Sequence, residues 1–401
     1  MSFRNRVLTL FVLAGLAACT ATIAPDWVRW YGHGTAAESR THWVGGMAED
    51  SYGNLVIVSS TIGSLESHIF DALVVKYTAN GERLWARDFD LATQGERSDE
   101  RPHAVKVGAD DAIYVGGQSY RVVDGLGKPV AFLMKLSPDG SLLWKHYLTE
   151  NEDVRDILLR NGQLVVTGKT TQVFGRDGQR QQLIRHDGFR GWALAEDAQG
   201  DMLVAGSQQL AKFDAAGALV WKRPLNSGYS HQASLAVSPN GEISVASAQS
   251  GTGSAVVERF TPEGQSLWVR TFAPVSKSNG LPGPALIAED GRGDLYLAAS
   301  HIDDRRLVKL SASGRIYWNT TRGSGIVQEI APTDTGGLLV VGGGHNEKLD
   351  ADGKVMGESQ VQQYVQETTG ELLRQGDKLF VAYSARDEDS FKIHLSRYTD
   401  Q

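Results

Sequence analysis

One recurring pattern decides the fold: Leu73-Val-Val-Lys-Tyr-Thr-Ala-Asn-Gly81-Glu-Arg-Leu-Trp85. It consists of an apolar strand, a turn with glycine, and a second strand that carries tryptophan four residues after the glycine. The same pattern ends at four further tryptophans, and two weaker copies lack the tryptophan. The turn glycines of all seven copies, 38 to 59 residues apart, are Gly81, Gly140, Gly178, Gly217, Gly264, Gly314 and Gly353.

A second pattern, a turn followed by an apolar strand, alternates strictly with the first. Gly53-Asn-Leu-Val-Ile-Val is one of its eight copies; the others begin at Asp110, Gly162, Gly200, Gly241, Gly293, Gly336 and Gly376. Gly, Asn and Asp accept the positive φ of tight hairpin turns. Each unit therefore holds two hairpins, and a period near 45 residues predicts an all-β fold with eight four-stranded propeller blades. Tandem β-sandwiches are the alternative, but sandwich strands do not repeat one motif at this spacing.

The two ends of the chain complement each other. The last unit stops after Tyr398 without a tryptophan-bearing fourth strand. Asp26-Trp27-Val-Arg-Trp30-Tyr31 matches that strand in the other units and precedes the first complete unit. We therefore expect the N-terminal strand to complete the last blade, which removes the exposed sheet edges. Residues 26–401 would form one propeller.

The first residues are typical of a bacterial export signal. Arg4 and Arg6 precede an apolar stretch that is too short to span a bilayer. It ends at Leu16-Ala17-Ala18-Cys19, which resembles a lipobox, and Cys19 is the only cysteine. This predicts a signal peptide at residues 1–18, lipidation of Cys19, and a tether at residues 19–25; a plain signal peptide with a chance cysteine is the alternative. By the sorting rules of bacterial lipoproteins, Thr20 favours the outer membrane, where several acyl chains give stable anchoring.

Composition narrows the function classes. The net charge is −7, with both signs spread along the chain and no basic run, so nucleic acid is not an expected partner. With one cysteine there is no intrachain disulfide and no cysteine-based metal site. We expect a monomer whose partners are proteins of the bacterial envelope and, through Cys19, the membrane.

The strand–Gly–x–x–x–Trp repeats resemble bacterial propeller repeats of the PQQ-like and SBBP-like kind, over essentially the whole mature chain. Size, lipobox and eight blades together are similar to the propeller lipoprotein of the outer-membrane β-barrel assembly machine. That resemblance implies a non-enzymatic scaffold that binds other proteins through loops on one face, facing the periplasm.

Tests for chemistry find no established motif. The resemblance to quinoprotein dehydrogenases would imply a disulfide of adjacent cysteines, which this chain cannot form; only Trp43 and Trp192 lie outside the blade pattern. Asp350-Ala-Asp352-Gly353 resembles the start of a Ca²⁺ loop but coincides with a repeat turn. We therefore predict no catalytic residue, no cofactor and no metal site.

Some residues near the starts of first strands would border the central channel, where they could converge on a ligand. These candidate channel-mouth residues are His42, Arg101, His103, Arg155, Asp156, His231 and Glu329. They could equally be solvated loop residues. Longer insertions at residues 59–71, 89–102, 119–129 and 272–284 are further candidates for recognition, since loops on a rigid scaffold carry function; tolerated length variation is the alternative.

Two hypotheses follow. The first is a non-catalytic protein-interaction scaffold in the envelope. The second is a propeller enzyme or small-ligand binder at the channel mouth, such as a hydrolase, lyase or sugar binder. A deep pocket with converging charged side chains would favour the second, whereas a narrow channel lined by small and apolar residues would disfavour it.

Overall fold

A computed structural model describes residues 21–22, 24–32, 42–62, 70–92, 97–123, 126–206, 208–226, 233–249, 252, 254–273, 284–300, 304–323, 325–342, 345–360, 370–387 and 390–399. All regular elements in these ranges are β-strands, numbered β1 to β33. Within the same ranges there is consequently no apolar helix of membrane-spanning length. The predicted signal peptide, Cys19 and His231 lie outside the described residues.

The first half of the chain begins with two strands that pair with strands near the other end of the chain, and it continues with four blades of four strands each. The first two strands are β1 (Ala21–Thr22) and β2 (Trp27–Tyr31). Blade 1 comprises β3 (His42–Glu49), β4 (Leu55–Ile62), β5 (Phe70–Tyr77) and β6 (Arg83–Phe89). Blade 2 comprises β7 (Arg97–Val107), β8 (Ile113–Val123), β9 (Leu126–Leu136) and β10 (Leu142–Leu148). Blade 3 comprises β11 (Asp156–Arg160), β12 (Gln163–Thr167), β13 (Thr170–Phe174) and β14 (Arg180–Arg185). Blade 4 comprises β15 (Gly191–Glu196), β16 (Met202–Gly206), β17 (Gln209–Phe213) and β18 (Leu219–Pro224).

The second half repeats this arrangement. Blade 5 comprises β19 (Ala233–Val237), β20 (Ile243–Ala248), β21 (Ala255–Phe260) and β22 (Ser266–Phe272). Blade 6 comprises β23 (Ala285–Glu289), β24 (Leu295–Ser300), β25 (Arg305–Leu310) and β26 (Ile316–Arg322). Blade 7 comprises β27 (Val327–Pro332), β28 (Leu338–Gly342), β29 (His345–Leu349) and β30 (Val355–Gln360). Blade 8 comprises β31 (Gly370–Gln375), β32 (Lys378–Asp387), β33 (Ser390–Thr399) and, from the other end of the chain, β2.

These eight sheets confirm the predicted eight-bladed β-propeller. In blades 1 to 7 the four consecutive strands pair antiparallel in chain order, with the first strand innermost, and blade 8 has the same arrangement with β2 as its outer strand. The predicted closure is also confirmed: β2 pairs with β33 in the register Trp27↔Arg397 to Tyr31↔Ile393. Blade 7 carries a fifth strand, because β1 adds in parallel to the outer edge of β30 with Ala21 opposite Gly357.

Tryptophan-on-glycine contacts join neighbouring blades. The outer-strand tryptophan of one blade lies against the turn glycine of the next blade. A Cβ added to that glycine would lie 2.7 to 3.1 Å from the nearest atom of the tryptophan ring. The pairs are Trp27 on Gly81, Trp85 on Gly140, Trp144 on Gly178, Trp221 on Gly264, Trp268 on Gly314 and Trp318 on Gly353. These turn glycines have positive φ between +76° and +86°. The tryptophans therefore cover the gaps between neighbouring blades.

Blade 3 replaces the tryptophan by Gln182. Its Nε2 donates to Ala216 O at 2.7 Å, in the turn of blade 4 that ends at Gly217. A polar side chain thus makes the contact that an indole Nε1 makes elsewhere, for example from Trp268 to Ala312 O at 2.9 Å. The contact between blades is therefore retained where the sequence pattern is lost.

The two faces of the ring differ. Because each blade is an antiparallel meander, the first-to-second and third-to-fourth strand connections lie on one face, which we call the turn face. These connections are short glycine-containing turns. The second-to-third connections and the crossings between blades lie on the other, which we call the loop face. The described residues of all four predicted insertions belong to the loop face.

Much of the predicted loop length is strand rather than loop. The strands β7, β8 and β9 have 11 residues each, whereas most first strands have five to eight. Their hairpin register runs on to Val123↔Leu126, so blade 2 rises above the loop face as an extended three-stranded ribbon. The expectation of loops at residues 97–102, 119–123 and 126–129 is therefore corrected, because backbone pairing simply continues through these residues.

Candidate functional site

The inner strands of the eight blades line a central channel, and their pairing registers define one common level. Each residue of this level lies opposite the fourth paired residue of the second strand in six blades, and opposite the fifth in blades 3 and 8, whose pairing starts one residue earlier. The eight residues are Gly46, Ala104, Asp156, Ala193, Ser234, Leu286, Glu329 and Glu371. Three of the eight are acidic, so the level carries charge at blades 3, 7 and 8.

Several polar side chains of this level bind the inner strand of the next blade. Asp156 Oδ2 accepts from Leu194 N at 2.8 Å, and Ser234 Oγ accepts from Ile287 N at 3.1 Å. Glu371 accepts from the backbone of Met47 across the closure between blades 8 and 1. The inner strand of each blade is a sheet edge, so the N–H groups on its unpaired side have no partner within their own sheet. These side chains therefore satisfy the backbone around the channel, which is a structural role.

The acidic groups are poorly solvated although water can reach part of their surface inside the channel. Burial raises the pKa of Glu329 to about 7, opposed by the backbone N–H of Ile330 and by the charge of Lys106. Burial and the neighbouring Glu329 raise the pKa of Glu371 to about 8. Burial likewise raises the pKa of Asp156, with Lys106 opposing. Two glutamates thus carry protons near neutral pH, and Lys106 is the cation that acts on all three carboxyls.

Two residues further along each inner strand, the side chains are small or apolar except for one. They are Ala48, Lys106, Leu158, Ala195, Ala236, Ala288, Ala331 and Leu373. Small residues fit where eight strands converge on one axis. A lining of small and apolar side chains disfavours a deep ligand site at this level, and Lys106 is its one charged residue.

The channel mouth on the loop face is built from β-bulges. The register shifts in β3, β7, β15 and β27 each leave one extra residue, respectively Gly45, His103, Trp192 and Gln328. A bulge re-aims the side chain of its extra residue. In blade 3, Arg155 N bonds to Thr167 O just before β11 begins, which places Arg155 at the corresponding position.

A charged cluster occupies the mouth at blades 2 to 4; we call it the mouth cluster. It centres on Asp153, which is fully buried and forms ion pairs with Arg155 and, at 3.8 Å, with Arg190. The Arg155 guanidinium also lies 4.5 Å from the ring centroid of Trp192. Both arginines keep about a third of their surface exposed, so they can still donate to a bound group. Such an arrangement suits recognition of polar or anionic groups.

His103 completes the mouth cluster. Burial, and next the positive charge of Arg155, lower the pKa of His103 to about 4. The imidazole is therefore neutral at pH 7 and is a hydrogen-bonding group rather than a cation. The cluster supplies binding groups, and none of its side chains is an activated nucleophile.

The structure brings some of the predicted channel-mouth residues together and separates others. His103 and Arg155 meet in the mouth cluster, while Asp156 and Glu329 share the deeper acidic level. His42 is buried between blades 8 and 1, with its ring centroid 5.2 Å from that of Tyr31. Arg101 is exposed and its guanidinium lies 5.1 Å from the ring centroid of Phe70. His42 therefore lies apart from the mouth cluster, whereas Arg101 lies at its margin, where its charge still acts on His103.

Sequence reasoning missed several members of these groups: Lys106, Asp153, Arg190, Ser234 and Glu371. One usable signal was Trp192, which stood outside the blade pattern. A second usable signal was an alignment of the inner strands residue by residue. In that alignment, charged residues stand out at positions where the other blades have small or apolar side chains.

Comparison with known proteins shows the fold alone. No family model matches this chain, and no curated protein matches it. The solved Dos1 propeller has a TM-score of 0.65 at 10 % identity, with 93 % of this chain and 95 % of that chain covered. A Lactobacillus plantarum protein matches with a TM-score of 0.46 at 13 % identity, covering 80 % of this chain and 97 % of that chain. Kluyveromyces lactis Hsv2 matches with a TM-score of 0.48 at 11 % identity, covering 90 % of this chain and 100 % of that chain.

Proposed function

We propose that this protein is a non-catalytic scaffold of the bacterial envelope that binds a partner protein through its loop face. The observation that carries the proposal is the difference between the two faces. The turn face repeats short, similar turns, whereas the loop face carries the ribbon of blade 2 and the mouth cluster. A large surface with varied side chains on a rigid ring is suited to binding another protein.

The polar channel residues support a scaffold rather than an enzyme. Asp156, Ser234 and Glu371 are engaged by backbone N–H groups of the next blade. Groups held in this way close the ring, so their presence does not require a substrate.

The N-terminal strand supports a definite orientation at the membrane. The strand β1 is parallel to β30, which runs from the turn face towards the loop face along the wall of blade 7. Two residues of chain span at most about 7 Å, so a lipid on Cys19 would hold the membrane beside blade 7, on the turn-face side of Ala21. In this proposal the anchor sits in the outer membrane and the loop face points away from it, into the periplasm.

Site-specific photo-crosslinking tests the proposal. Tyr120 lies on the ribbon of blade 2 and is 45 % exposed, while Tyr52 lies in a turn of the opposite face and is 81 % exposed. Each is replaced in turn by p-benzoylphenylalanine, and bacterial envelopes are irradiated before purification. We expect one stoichiometric partner to be captured from position 120 and not from position 52. Capture from position 52 alone, equal capture from both, or recovery of the bait alone would refute the proposal.

A second candidate, a small-ligand binder at the channel mouth, is favoured by one observation: Arg155 lies over Trp192 beside a buried carboxylate. It predicts that a polar or anionic small molecule raises the melting temperature of the wild-type protein and not of the Arg155→Ala variant. A ligand screen in which no compound separates the two proteins would remove this candidate.

A further inference from the structure

Three carboxylates converge where blade 1 meets the base of the blade 2 ribbon. Asp71 lies in β5 opposite Thr61, Asp90 follows the end of β6, and Glu100 lies in β7 opposite Ser119. One oxygen of each carboxylate lies within 4.8 Å of the other two. Three separate segments of the chain therefore deliver oxygen ligands to one point.

Glu100 distinguishes this point from an ordinary acidic surface. The residue is fully buried. Its Oε1 accepts from Ser119 Oγ at 3.1 Å, but its Oε2 is buried without a hydrogen-bond partner among the described residues. A buried carboxylate oxygen without a donor is costly, and a bound cation would remove that cost.

The electrostatic surroundings of Glu100 point in the same direction. Burial, opposed by the hydroxyl groups of Ser98 and Ser119 and assisted by the negative charges of Asp90 and Asp71, raises the pKa of Glu100 to about 7. A single proton on Glu100 would remove one of the three charges, whereas a divalent cation would be shared by all three carboxylates.

The connection that carries Asp90 is held in place. Leu91 is buried, and its carbonyl oxygen accepts from Lys145 Nζ at 2.8 Å and also from the Tyr147 hydroxyl. Asp90 itself is exposed, so water can complete a coordination shell on its side. The site is thus rigid on the protein side and open to solvent on the other.

We propose that Asp71, Asp90 and Glu100 bind one divalent cation of the Ca²⁺ class, which ties blade 1 to the ribbon of blade 2. Carboxylate oxygens are the preferred ligands of Ca²⁺, and Ca–O distances of about 2.4 Å allow ligand oxygens up to about 5 Å apart. Mg²⁺, at about 2.1 Å from its ligands, requires a tighter octahedron. The sequence prediction of no metal site had weighed cysteine-based sites and the turn at Asp350, neither of which is part of this cluster.

The test compares thermal unfolding and direct calcium binding for the full purified chain, first freed of metal with EDTA. We expect added Ca²⁺ to raise the melting temperature of the wild-type protein by several degrees and to bind with a stoichiometry of one. In Glu100→Gln and in Asp90→Asn, we expect affinity to fall at least tenfold and the thermal shift to disappear. Asp90→Asn is exposed, so it keeps the test valid if Glu100→Gln folds poorly.

The control is Asp352→Asn, in the exposed turn whose sequence resembles a calcium loop; it should keep the full response. Without metal, Glu100→Gln should be at least as stable as the wild-type protein, because it removes a poorly solvated charge next to two others. The proposal is wrong if wild-type protein binds no Ca²⁺, if Glu100→Gln and Asp90→Asn retain the response, or if Asp352→Asn loses it.

Discussion

Replacing Gly264 by alanine tests whether the tryptophan-on-glycine contacts hold the ring together. Gly264 has a φ of +76°, and an alanine Cβ there would lie 2.8 Å from the ring of Trp221. That ring has little room to move, because Trp221 is 8 % exposed and its Nε1 donates to Pro262 O at 3.2 Å. The substitution therefore combines backbone strain with a clash between blades 4 and 5.

Gly293→Ala is the matched control. Gly293 has a similar φ of +85°, but its Cβ would meet only Glu289 Oε1 at 3.7 Å and Ala312 Cβ at 3.8 Å, which are ordinary contacts. Left-handed backbone costs a residue with a Cβ roughly 1–2 kcal/mol, and overpacking adds about 1–3 kcal/mol. We expect the free energy of unfolding to fall by ~1–2 kcal/mol for Gly293→Ala and ~2–5 kcal/mol for Gly264→Ala.

Equilibrium unfolding in guanidinium chloride, followed by circular dichroism, measures both losses. In a Trp221→Leu background the clash is absent, so Gly264→Ala should then cost no more than the control. Equal losses for the two glycine variants in the wild-type background would show that the turn glycines serve backbone conformation alone. The reasoning about contacts between blades would then be refuted.

Three further predictions follow from the channel, the closure and the N-terminus. Glu329 and Glu371 have folded-state pKa values of about 7 and about 8, above the ordinary 4.5, so the folded chain binds more protons than the unfolded chain between about pH 4.5 and 8. The contribution of these two glutamates to stability should be largest at the acidic end of this window and be lost as the pH rises through 7 and 8, by on the order of 1–3 kcal/mol after allowance for water in the channel. Thermal melts across this range should therefore differ in slope between Glu371→Gln and the wild-type protein, and an unchanged slope would contradict the assignment. Trp27→Ala should lower the free energy of unfolding by about 3–5 kcal/mol, measured by denaturant titration, because it weakens the closure between blades 8 and 1; a loss below about 1 kcal/mol would contradict that role. Cys19→Ser should move the protein from the membrane to the soluble fraction and abolish radiolabelled palmitate incorporation, and continued labelling would disprove the lipobox.

The sequence was sufficient for the fold because the repeat pattern reports on contacts between blades. A tryptophan four residues after a turn glycine places an indole over the equivalent glycine of the next blade, and that geometry requires a ring of similar units. The unpaired ends predicted the closing strand, which pairs as Trp27↔Arg397. The pairing of β1 with blade 7 was not predictable, since Ala21 and Thr22 carry no pattern.

The candidate site was predicted only in part, because position along an inner strand depends on β-bulges. A bulge shifts the register by one residue without a reliable sequence signal, so the mutual positions of His103, Arg155 and Trp192 could not be derived from spacing. The carboxylates Asp71, Asp90 and Glu100 lie in three strands or connections of two blades. Their convergence follows from blade packing rather than from any local motif.

The departures from the repeat indicate where function lies. Residues that follow the pattern are explained by packing: Lys212 of the strand motif, for example, pairs with the buried Asp197 at 2.6 Å within its own blade. Several residues that the packing of the repeat does not require lie between blades 1 and 4, where the ribbon of blade 2, Glu100, Asp153 and Trp192 all lie towards the loop face. Maintaining a buried carboxylate among arginines, or three carboxylates at one point, costs stability unless something is bound or paired there. A partner that uses the loop face should therefore contact blades 2 to 4 more than blades 5 and 6, whose inner strands carry Ser234 and Leu286 at the acidic level and add no charge to it.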